Sequence, residues 1–300
     1  MIDGFLDRRA NLVGRVAAII GGGGGLGAAV TLALAGAGVD VVFCDIDAKA
    51  NEETQAAARA LGRHAEAVTA DATNTTQLAD FYRAVKDFAS HLDIVVNVVG
   101  GVRRGAFLAR DPSEDAADIH RNFGYVVDSI RRAVPLMRKG GRGGSIINFT
   151  TIEAHRGAAT FSVYAGAKAA TVNFSRAMAV ELAAEGIRIN MIAPDTTPSR
   201  GSTNSMSAEM LAKLGSMPEK AMELLFGMYI PQGRPPTEED LTNALLFLVS
   251  DLSRATTGTT VHVDGGTMAS SGFLNWPFGE GYCPAPLPES VNLLYKGGGR

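Results

Sequence analysis

The sequence predicts an α/β fold, a doubly wound sheet of seven parallel strands flanked by helices, from two observations. Short apolar runs alternate with amphipathic helical stretches along most of the chain, which is the pattern of repeated strand–helix–strand units. Most runs are continuously apolar, as expected for strands that are covered on both faces. The predicted strands are Val16–Ile20, Asp40–Cys44, Ala65–Ala70, Asp93–Asn97, Ser145–Phe149, Arg188–Ile192 and Thr260–Val263.

The stretches between the strands predict helices, and two of them carry start signals. The sequence DPSE at Asp111–Glu114 offers a capping aspartate, a proline at the first helical position and a glutamate two residues later. Thr237 offers a cap to a second helix in the same way. No linker or solenoid repeat interrupts the alternation, so one domain is predicted over residues 12–266 of the 300-residue chain.

Composition and charge narrow the function classes. A net charge of -3 gives no support to a nucleic-acid-binding surface. Cys44, Cys283 and five scattered histidines have neither disulfide nor metal spacing, so no metal is predicted. The uncharged segment Val16–Val39 is long enough to cross a bilayer, but its glycines would break an isolated helix. The N-terminus also lacks the apolar region of a secretory signal. These features predict a cytoplasmic protein without a membrane partner.

A glycine run follows the first strand and precedes the first long helix. The sequence IIGGGGGLG at Ile19–Gly27 therefore has the strand–turn–helix context of a phosphate-binding turn, in which amides at the helix start face a pyrophosphate. Eighteen residues after Gly27, Asp45 follows the second strand, where a carboxylate accepts hydrogen bonds from ribose hydroxyls and repels a 2′-phosphate. A structural turn that binds nothing is the alternative.

The spacing of these glycines, together with six further motifs, resembles the short-chain dehydrogenase/reductase family over about residues 12–266. Gly21, Gly25 and Gly27 fit G-x-x-x-G-x-G, and YAGAK at Tyr164–Lys168 matches Y-x-x-x-K. The other matching segments are ADAT with Asp71, NVVG at Asn97–Gly100, RNFG with Asn122, INMIAPDTTPS with Pro194, and TTGTTVHVDGG at Thr256–Gly266. The resemblance implies a Rossmann-type nucleotide-binding fold and a homotetramer or homodimer.

The resemblance also implies the catalytic residues. Tyr164 and Lys168 share a helix face, and a nearby ammonium together with a positive nicotinamide ring is expected to lower the tyrosine's pKa from its ordinary value of about 10. Tyr164 would exchange a proton with the substrate oxygen while hydride moves between substrate carbon and nicotinamide. Lys168 would also bind the nicotinamide ribose, and Asn122 would hold a water that relays protons.

The cofactor predicted from these motifs is NAD. Asp45 is followed by Ile46 with no Arg or Lys beside it, which favours NAD over NADP. The residues implied to bind the cofactor are Gly21, Gly24, Gly25, Leu26, Gly27, Asp45, Ile46, Asp71, Ala72, Asn97, Tyr164, Lys168, Pro194, Thr197 and Ser199.

Three positions depart from the family pattern. Thr151 stands where the family has serine, thirteen residues before the tyrosine, and we expect its hydroxyl to bind the substrate oxygen; the alternative is that Thr150, or no residue, supplies this donor. Asp195 replaces a glycine, and it either alters the loop, meets the substrate or is a surface carboxylate in a turn. Ile20 replaces a threonine whose hydroxyl braces the glycine turn, and the added glycines are one way to compensate.

The substrate is predicted from the two segments outside the alternation. Residues 196–236 lie where the family builds its substrate lid, and their apolar residues predict an adaptable wall or the inner face of an ordinary helix. The extension 267–300 would close the same pocket or pack on another subunit. We therefore expect a medium-sized hydrophobic secondary alcohol or ketone, steroid- or terpenoid-like. The lid residues concerned are Met206, Met210, Met217, Met222, Met228, Leu224, Leu225 and Phe226.

Several alternatives stay open at this point. A 3-oxoacyl thioester reductase fits the same motifs, although Asp45 argues against the NADPH it would use. A catalytically weak NAD-binding sensor or scaffold would explain Thr151 and Asp195. Arg103 and Arg104 either meet an anionic group or are solvated. Within the turn, Gly25→Val is expected to abolish NAD binding and Gly23→Ser to be tolerated.

Overall fold

Seven parallel strands form one sheet in the computed structural model, which describes residues 4–195, 197–198, 209, 212, 215–277 and 281–284. The order across the sheet is β3-β2-β1-β4-β5-β6-β7. The strands are β1 (Val16–Ile20), β2 (Asp40–Asp45), β3 (Ala65–Thr69), β4 (Ile94–Asn97), β5 (Gly144–Phe149), β6 (Ile187–Pro194) and β7 (Thr260–Val263). All seven predicted strands are confirmed, with ends that differ by two residues at most.

Helices cover both faces of this sheet, which explains why its strands are continuously apolar. Along β1, Ala18 and Ile20 belong to one buried cluster, whereas Ala17 and Ile19 belong to another. The helices are α1 (Phe5–Ala10), α2 (Gly25–Gly36), α3 (Ala48–Ala60), α4 (Thr75–Phe88), α5 (Pro112–Ile119), α6 (Tyr125–Gly140), α7 (Ser162–Leu182), α8 (Glu219–Tyr229), α9 (Glu238–Val249) and α10 (Thr267–Ser270).

Both predicted helix caps are present. Asp111 Oδ1 accepts a hydrogen bond from the Ser113 amide at 2.9 Å, and Pro112 is the first residue of α5. Thr237 and Asp240 form a reciprocal capping box at the start of α9. The caps satisfy amides that would otherwise lack a partner, so these helix starts are set by local sequence.

The strand order reverses between β1 and β4, which are hydrogen-bonded neighbours. Connections leave this point in opposite directions and open a crevice at the carboxyl ends of the strands. Gly21 follows β1, Asp45 ends β2 and Thr151 lies two residues after β5. The predicted site residues therefore meet at one edge of the sheet.

The two segments outside the alternation pack on each other. Helix α8 lies in the insert, and the hairpin of β8 (Leu274–Trp276) and β9 (Gly281–Cys283) packs against it, with Asn275 Nδ2 donating to the Gly227 carbonyl at 3.4 Å. Across the residues described, no helix has the length and apolar character that crossing a membrane requires.

Candidate active site

A cleft of about 1440 Å³ opens at the carboxyl edge of the sheet and collects most of the predicted site residues. It exceeds the roughly 300–1,000 Å³ of a common small-molecule pocket, which leaves room for a dinucleotide and a substrate. The predicted residues that line it are Gly21, Gly24, Gly25, Leu26, Gly27, Asp45, Ile46, Asp71, Ala72, Thr151, Tyr164, Lys168, Pro194 and Thr197.

The glycine turn has the geometry of a phosphate-binding loop. Gly21 and Gly25 have φ values of 86° and 52°, in the left-handed region that favours glycine. Helix α2 begins at Gly25, so the amides of its first turn lie at the cleft. The third motif glycine, Gly27, packs its Cα against the Gly21 carbonyl. The turn thus presents backbone amides where a pyrophosphate would bind.

The other three glycines of the turn, Gly22, Gly23 and Gly24, differ in how much space surrounds them. A Cβ on Gly22 would lie 2.7 Å from Phe43 Cβ, and one on Gly23 would lie 2.7 Å from Asp45 Cβ and overlap the side chain of Asn51. On Gly24, the nearest atom would be Ala50 Cβ at 3.9 Å. These contacts argue against the expectation that Gly23→Ser is tolerated, because neighbouring side chains already occupy that space.

Two threonines brace this turn, and sequence reasoning missed both. Thr31 Oγ1 donates to the Gly22 carbonyl at 2.9 Å, and Thr54 Oγ1 donates to the Gly23 carbonyl at 2.8 Å. Ile20, which replaces the family's threonine, is fully buried. Helices α2 and α3 therefore supply the bracing hydroxyls.

We expect Gly23→Ser to lower the thermal midpoint of unfolding and Gly24→Ser to leave it unchanged or raise it slightly. Overpacking typically destabilises a protein by about 1–3 kcal/mol, whereas Gly24 has extended backbone angles at the N-cap position of α2, where serine is favoured. Thermal melts without added nucleotide measure the difference. Equal midpoints for the two variants would contradict the packing argument.

Asp45 is held at the end of β2 with its carboxylate beside the turn. Its Oδ2 accepts from the Gly23 amide at 3.3 Å and its Oδ1 from the Asp47 amide at 3.2 Å. Each oxygen keeps a further lone pair, so the carboxylate can also accept from ribose hydroxyls. Asp71 lies on the same side of the cleft, with Oδ1 accepting from Thr73 Oγ1 at 2.7 Å.

Tyr164 and Lys168 lie one turn apart on α7 and both reach the cleft. Lys168 is almost completely buried, and its Nζ donates to the Phe149 carbonyl at 2.9 Å. Burial lowers the pKa of Lys168 to about 8. The ammonium form still predominates at neutral pH, so a buried cation is available beside the strand end.

The pKa of Tyr164 differs in direction from the sequence-based expectation. Burial raises it to about 12, the Thr151 hydroxyl acts in the opposite direction, and the negative charge of Glu153 raises it further. Loss of hydration around the phenol outweighs the favourable hydrogen bond. The pKa-lowering effect expected of Lys168 is not seen, and its ammonium bonds the Phe149 carbonyl instead.

The hydroxyls of the adjacent residues Thr150 and Thr151 have different hydrogen-bond partners. Thr150 Oγ1 donates to the Ile192 carbonyl at 3.2 Å and so fastens β5 to β6. The Thr151 hydroxyl donates to Glu153 and also acts on the Tyr164 phenol, whose pKa it lowers. Thr151, rather than Thr150, therefore presents a hydroxyl beside the tyrosine, which supports the sequence-based choice.

A polar chain that sequence reasoning missed extends from Thr151 to the insert. Glu153 Oε1 accepts from Arg156 Nη2 at 3.0 Å, Arg156 donates to the Tyr229 hydroxyl at 2.7 Å, and that hydroxyl donates to Asp195 Oδ2 at 3.0 Å. Glu153 and Asp195 both line the cleft, so Asp195 forms part of its wall. The pairing of Arg156 with Tyr229 joins positions 73 apart and leaves no local signal.

Asn122 lies behind the cleft, in a π-helical segment His120–Gly124 between α5 and α6. Its side chain accepts from the Gly101 amide and donates to the Gly101 carbonyl, both at 3.0 Å, and its main-chain carbonyl accepts from Thr171 Oγ1 at 3.0 Å. A Cβ on Gly100 would lie 2.9 Å from both Asn122 Oδ1 and Lys168 Nζ. Asn122 therefore fixes the loop that covers Lys168.

Some predicted residues do not reach the cleft. Asn97 is fully buried, accepts from Ser129 Oγ at 2.6 Å and donates to Asn148 at 2.7 Å, so its side chain braces the sheet. No residue of α8 lines the cleft, and Leu224 and Leu225 are about half exposed. Ser199, Met206 and Met210 lie outside the described residues. Within the described chain, no His, Cys, Asp and Glu residues cluster as a metal site would require.

Comparisons with known proteins point to one family of oxidoreductases. A family model described as enoyl-(acyl carrier protein) reductase matches residues 21–268. An uncharacterized oxidoreductase of Mycobacterium tuberculosis is 36% identical over 84% of this chain and 91% of its own length. A 3-oxoacyl-[acyl-carrier-protein] reductase of Thermotoga maritima is 33% identical over 65% of this chain and 73% of its own length.

Among solved structures, 7α-hydroxysteroid dehydrogenase in complex with NADH and 7-oxo glycochenodeoxycholic acid is similar to this chain. The TM-score is 0.77 at 28% sequence identity, and the match covers 88% of this chain and 97% of that one. The fold, the cleft and these matches together make the chain an oxidoreductase of the short-chain dehydrogenase/reductase family.

Proposed function

We propose that the protein is an NAD-dependent dehydrogenase or ketone reductase that transfers hydride between the cofactor and a medium-sized, hydrophobic secondary alcohol or ketone. The observation that carries the proposal is that Tyr164 lies in a cleft with Thr151 at its hydroxyl, while Asp45 and the glycine turn lie at the other end of the same cleft. Val102 and Phe161 both line the cleft, and the Phe161 ring lies beside Tyr164, so the cleft has apolar surface that suits a steroid- or terpenoid-like body.

Four residues have separate roles in the proposed reaction. NAD supplies the hydride acceptor or donor, and its oxidised ring supplies a positive charge. Tyr164 exchanges a proton with the substrate oxygen, Thr151 bonds the same oxygen, and Lys168 binds the nicotinamide ribose. Asn122 holds the loop over Lys168 and the water that returns the proton to solvent.

The test is a near-ultraviolet absorbance assay of a panel of alcohols and ketones, each with NAD(H) and NADP(H). We expect turnover of cyclic or steroid-like ketones with NADH. A second candidate is 3-oxoacyl thioester reduction, which the Thermotoga relative's activity favours. Turnover of acyl thioesters alone would select it. NADH binding without turnover of any substrate would instead select an NAD-binding sensor.

The cellular setting and assembly belong to the same proposal. We infer a cytoplasmic homotetramer or homodimer with residues 12–266 as the catalytic domain, 196–236 as its lid and 267–300 as an extension. Contact between the β8–β9 hairpin and α8 supports a role of the extension in holding the lid.

We expect wild-type protein to prefer NAD to NADP by about a hundredfold in kcat/KM and Asp45→Asn to reduce this preference by about tenfold. An asparagine oxygen can still accept from the Gly23 amide, but the charge that repels a 2′-phosphate is gone. Asp47→Asn is the matched control, because Asp47 caps α3 and asparagine caps equally well. A wild-type preference for NADP would refute the assignment of Asp45.

We expect Glu153→Gln to move the rising limb of the pH–rate profile for alcohol oxidation to lower pH. Oxidation needs the Tyr164 phenolate, and the Glu153 carboxylate raises the pKa of that phenol. The pKa falls when the negative charge is removed, so the phenolate forms at lower pH, while the Thr151 hydroxyl that lowers the same pKa is retained. Glu185→Gln, which removes a remote charge, should leave the profile in place. An unchanged profile for Glu153→Gln would show that Glu153 does not act on Tyr164.

A further inference from the structure

Three arginines line the cleft, and one of them differs from the others in its partners. Arg103 pairs with Glu114 at 2.9 Å, and Arg121 pairs with Asp118 at 2.8 Å. The Arg104 guanidinium instead lies over the ring of Phe161, 4.7 Å from its centroid. Within the part of the chain that the structure describes, no carboxylate pairs with Arg104.

The backbone around Arg104 holds it in place. The Gly105 amide donates to the Thr160 carbonyl at 3.1 Å, which ties the loop after β4 to the loop before α7. Thr160 has a φ of 70°, a left-handed conformation that is costly for a β-branched residue and is retained where surrounding structure enforces it. This turn sets the position of the Phe161 ring under the guanidinium.

The same ring places Arg104 beside the reacting end of the cleft. The rings of Phe161 and Tyr164 lie with centroids 6.3 Å apart. The Phe161 ring therefore lies beside both the guanidinium and the tyrosine that would exchange a proton with substrate. Nucleotide phosphates belong at the glycine turn after β1, whereas Arg104 is on the loop after β4.

The acidic groups nearest to this part of the cleft are already engaged. Glu153 pairs with Arg156 at 3.0 Å, and Asp195 accepts from the Tyr229 hydroxyl at 3.0 Å. A guanidinium offers a planar fork of donors that matches a carboxylate, and contact with an aromatic face leaves the edge donors available.

We propose that Arg104 binds a carboxylate of the substrate, so that the preferred substrates are oxo or hydroxy acids with an apolar body. This inference rests on the proposed dehydrogenase function and names its substrate class. Because the guanidinium rests on the Phe161 ring and not on Tyr164, we expect the acid group to lie several bonds from the reacting carbon. Small 2-oxo acids, whose two groups are adjacent, do not satisfy this spacing.

The experiment compares matched pairs of substrates and matched variants. Oxo acids with cyclic or steroid bodies are assayed with NADH beside their uncharged methyl esters, in wild type, Arg104→Gln, Arg104→Lys and Arg103→Gln. We expect wild type to favour acid over ester by about tenfold in kcat/KM, through KM. Arg104→Gln should remove this preference without changing turnover of the ester, Arg104→Lys should retain part of it, and Arg103→Gln should keep it. Thermal melts check folding of each variant.

The outcomes distinguish this inference from the proposed function. Reduction of esters and acids with equal kcat/KM by wild type would overturn the role of Arg104 and leave the dehydrogenase function intact. An acid preference that survives in Arg104→Gln would overturn it as well, as would an equal loss on acids and esters. If wild type reduces neither the oxo acids nor their methyl esters, the result contradicts the proposed dehydrogenase function itself. Calorimetric binding of the acid to the NADH complex gives a readout that does not depend on turnover.

Discussion

Tyr164→Phe is expected to lower kcat by about a thousandfold or more while NADH binding stays within about twofold of wild type. General acid–base catalysis by a positioned side chain contributes about 10²–10⁴-fold, and no other described hydroxyl except that of Thr151 hydrogen-bonds at this position. Phenylalanine keeps the ring, so packing against Phe161 is retained. Steady-state rates at saturating cofactor and fluorescence titration with NADH measure the two effects.

Tyr229→Phe is the control for this experiment. It also removes a tyrosine hydroxyl, but that hydroxyl links Arg156 to Asp195 rather than contacting Tyr164. We expect a loss of less than about tenfold, the usual scale of one hydrogen bond. If Tyr164→Phe retained more than a tenth of wild-type kcat, another group would be the proton donor. Parallel loss of NADH binding would point to misfolding of the site.

The fold could be predicted because short stretches of the sequence determine where its strands and helices form. Parallel strands that are covered on both faces need continuous apolar runs. At two helix starts, the side chains of Asp111 and Thr237 accept hydrogen bonds from main-chain amides two and three residues further along the chain. The meeting of Asp45, Thr151 and Tyr164 also follows from order along the chain, since strand ends of a parallel sheet share one edge. A spacing of four residues places Lys168 one helical turn from Tyr164.

The properties that were missed depend on contacts between distant residues. The crowding at Gly23 comes from Asn51 and Asp45, which reach the turn only when α3 packs on β2. The run of glycines in the sequence does not indicate that there is room for a side chain at Gly24 but not at Gly23.

The direction of the Tyr164 pKa could not be predicted for a similar reason. Desolvation depends on how completely the surrounding elements enclose the phenol, and in this structure it dominates. Proximity of a lysine in sequence predicts a shared helix face but does not establish where its ammonium bonds. In the fold, Lys168 bonds the Phe149 carbonyl.

The second large effect is expected for Gly27→Ala, which should weaken NADH binding by about a hundredfold and lower the free energy of unfolding by about 3 kcal/mol. A Cβ on Gly27 would overlap the Gly21 carbonyl oxygen and lie 2.7 Å from its carbon and 3.1 Å from Gly22 Cα. These are backbone atoms, so no side-chain rotation relieves the overlap. The turn between β1 and α2 must open, and the amides that would face the pyrophosphate move with it.

Gly36→Ala makes the same substitution in the same helix and serves as the control. No atom lies within 4 Å of a Cβ there, and alanine is favoured over glycine inside a helix by about 1 kcal/mol. It should therefore retain NADH binding and resist denaturant slightly better than wild type. Denaturant unfolding without nucleotide separates the loss of stability in Gly27→Ala from its loss of affinity. Wild-type affinity in Gly27→Ala would mean that the first helical turn is not where NAD binds, because a displaced turn could not hold the pyrophosphate equally well.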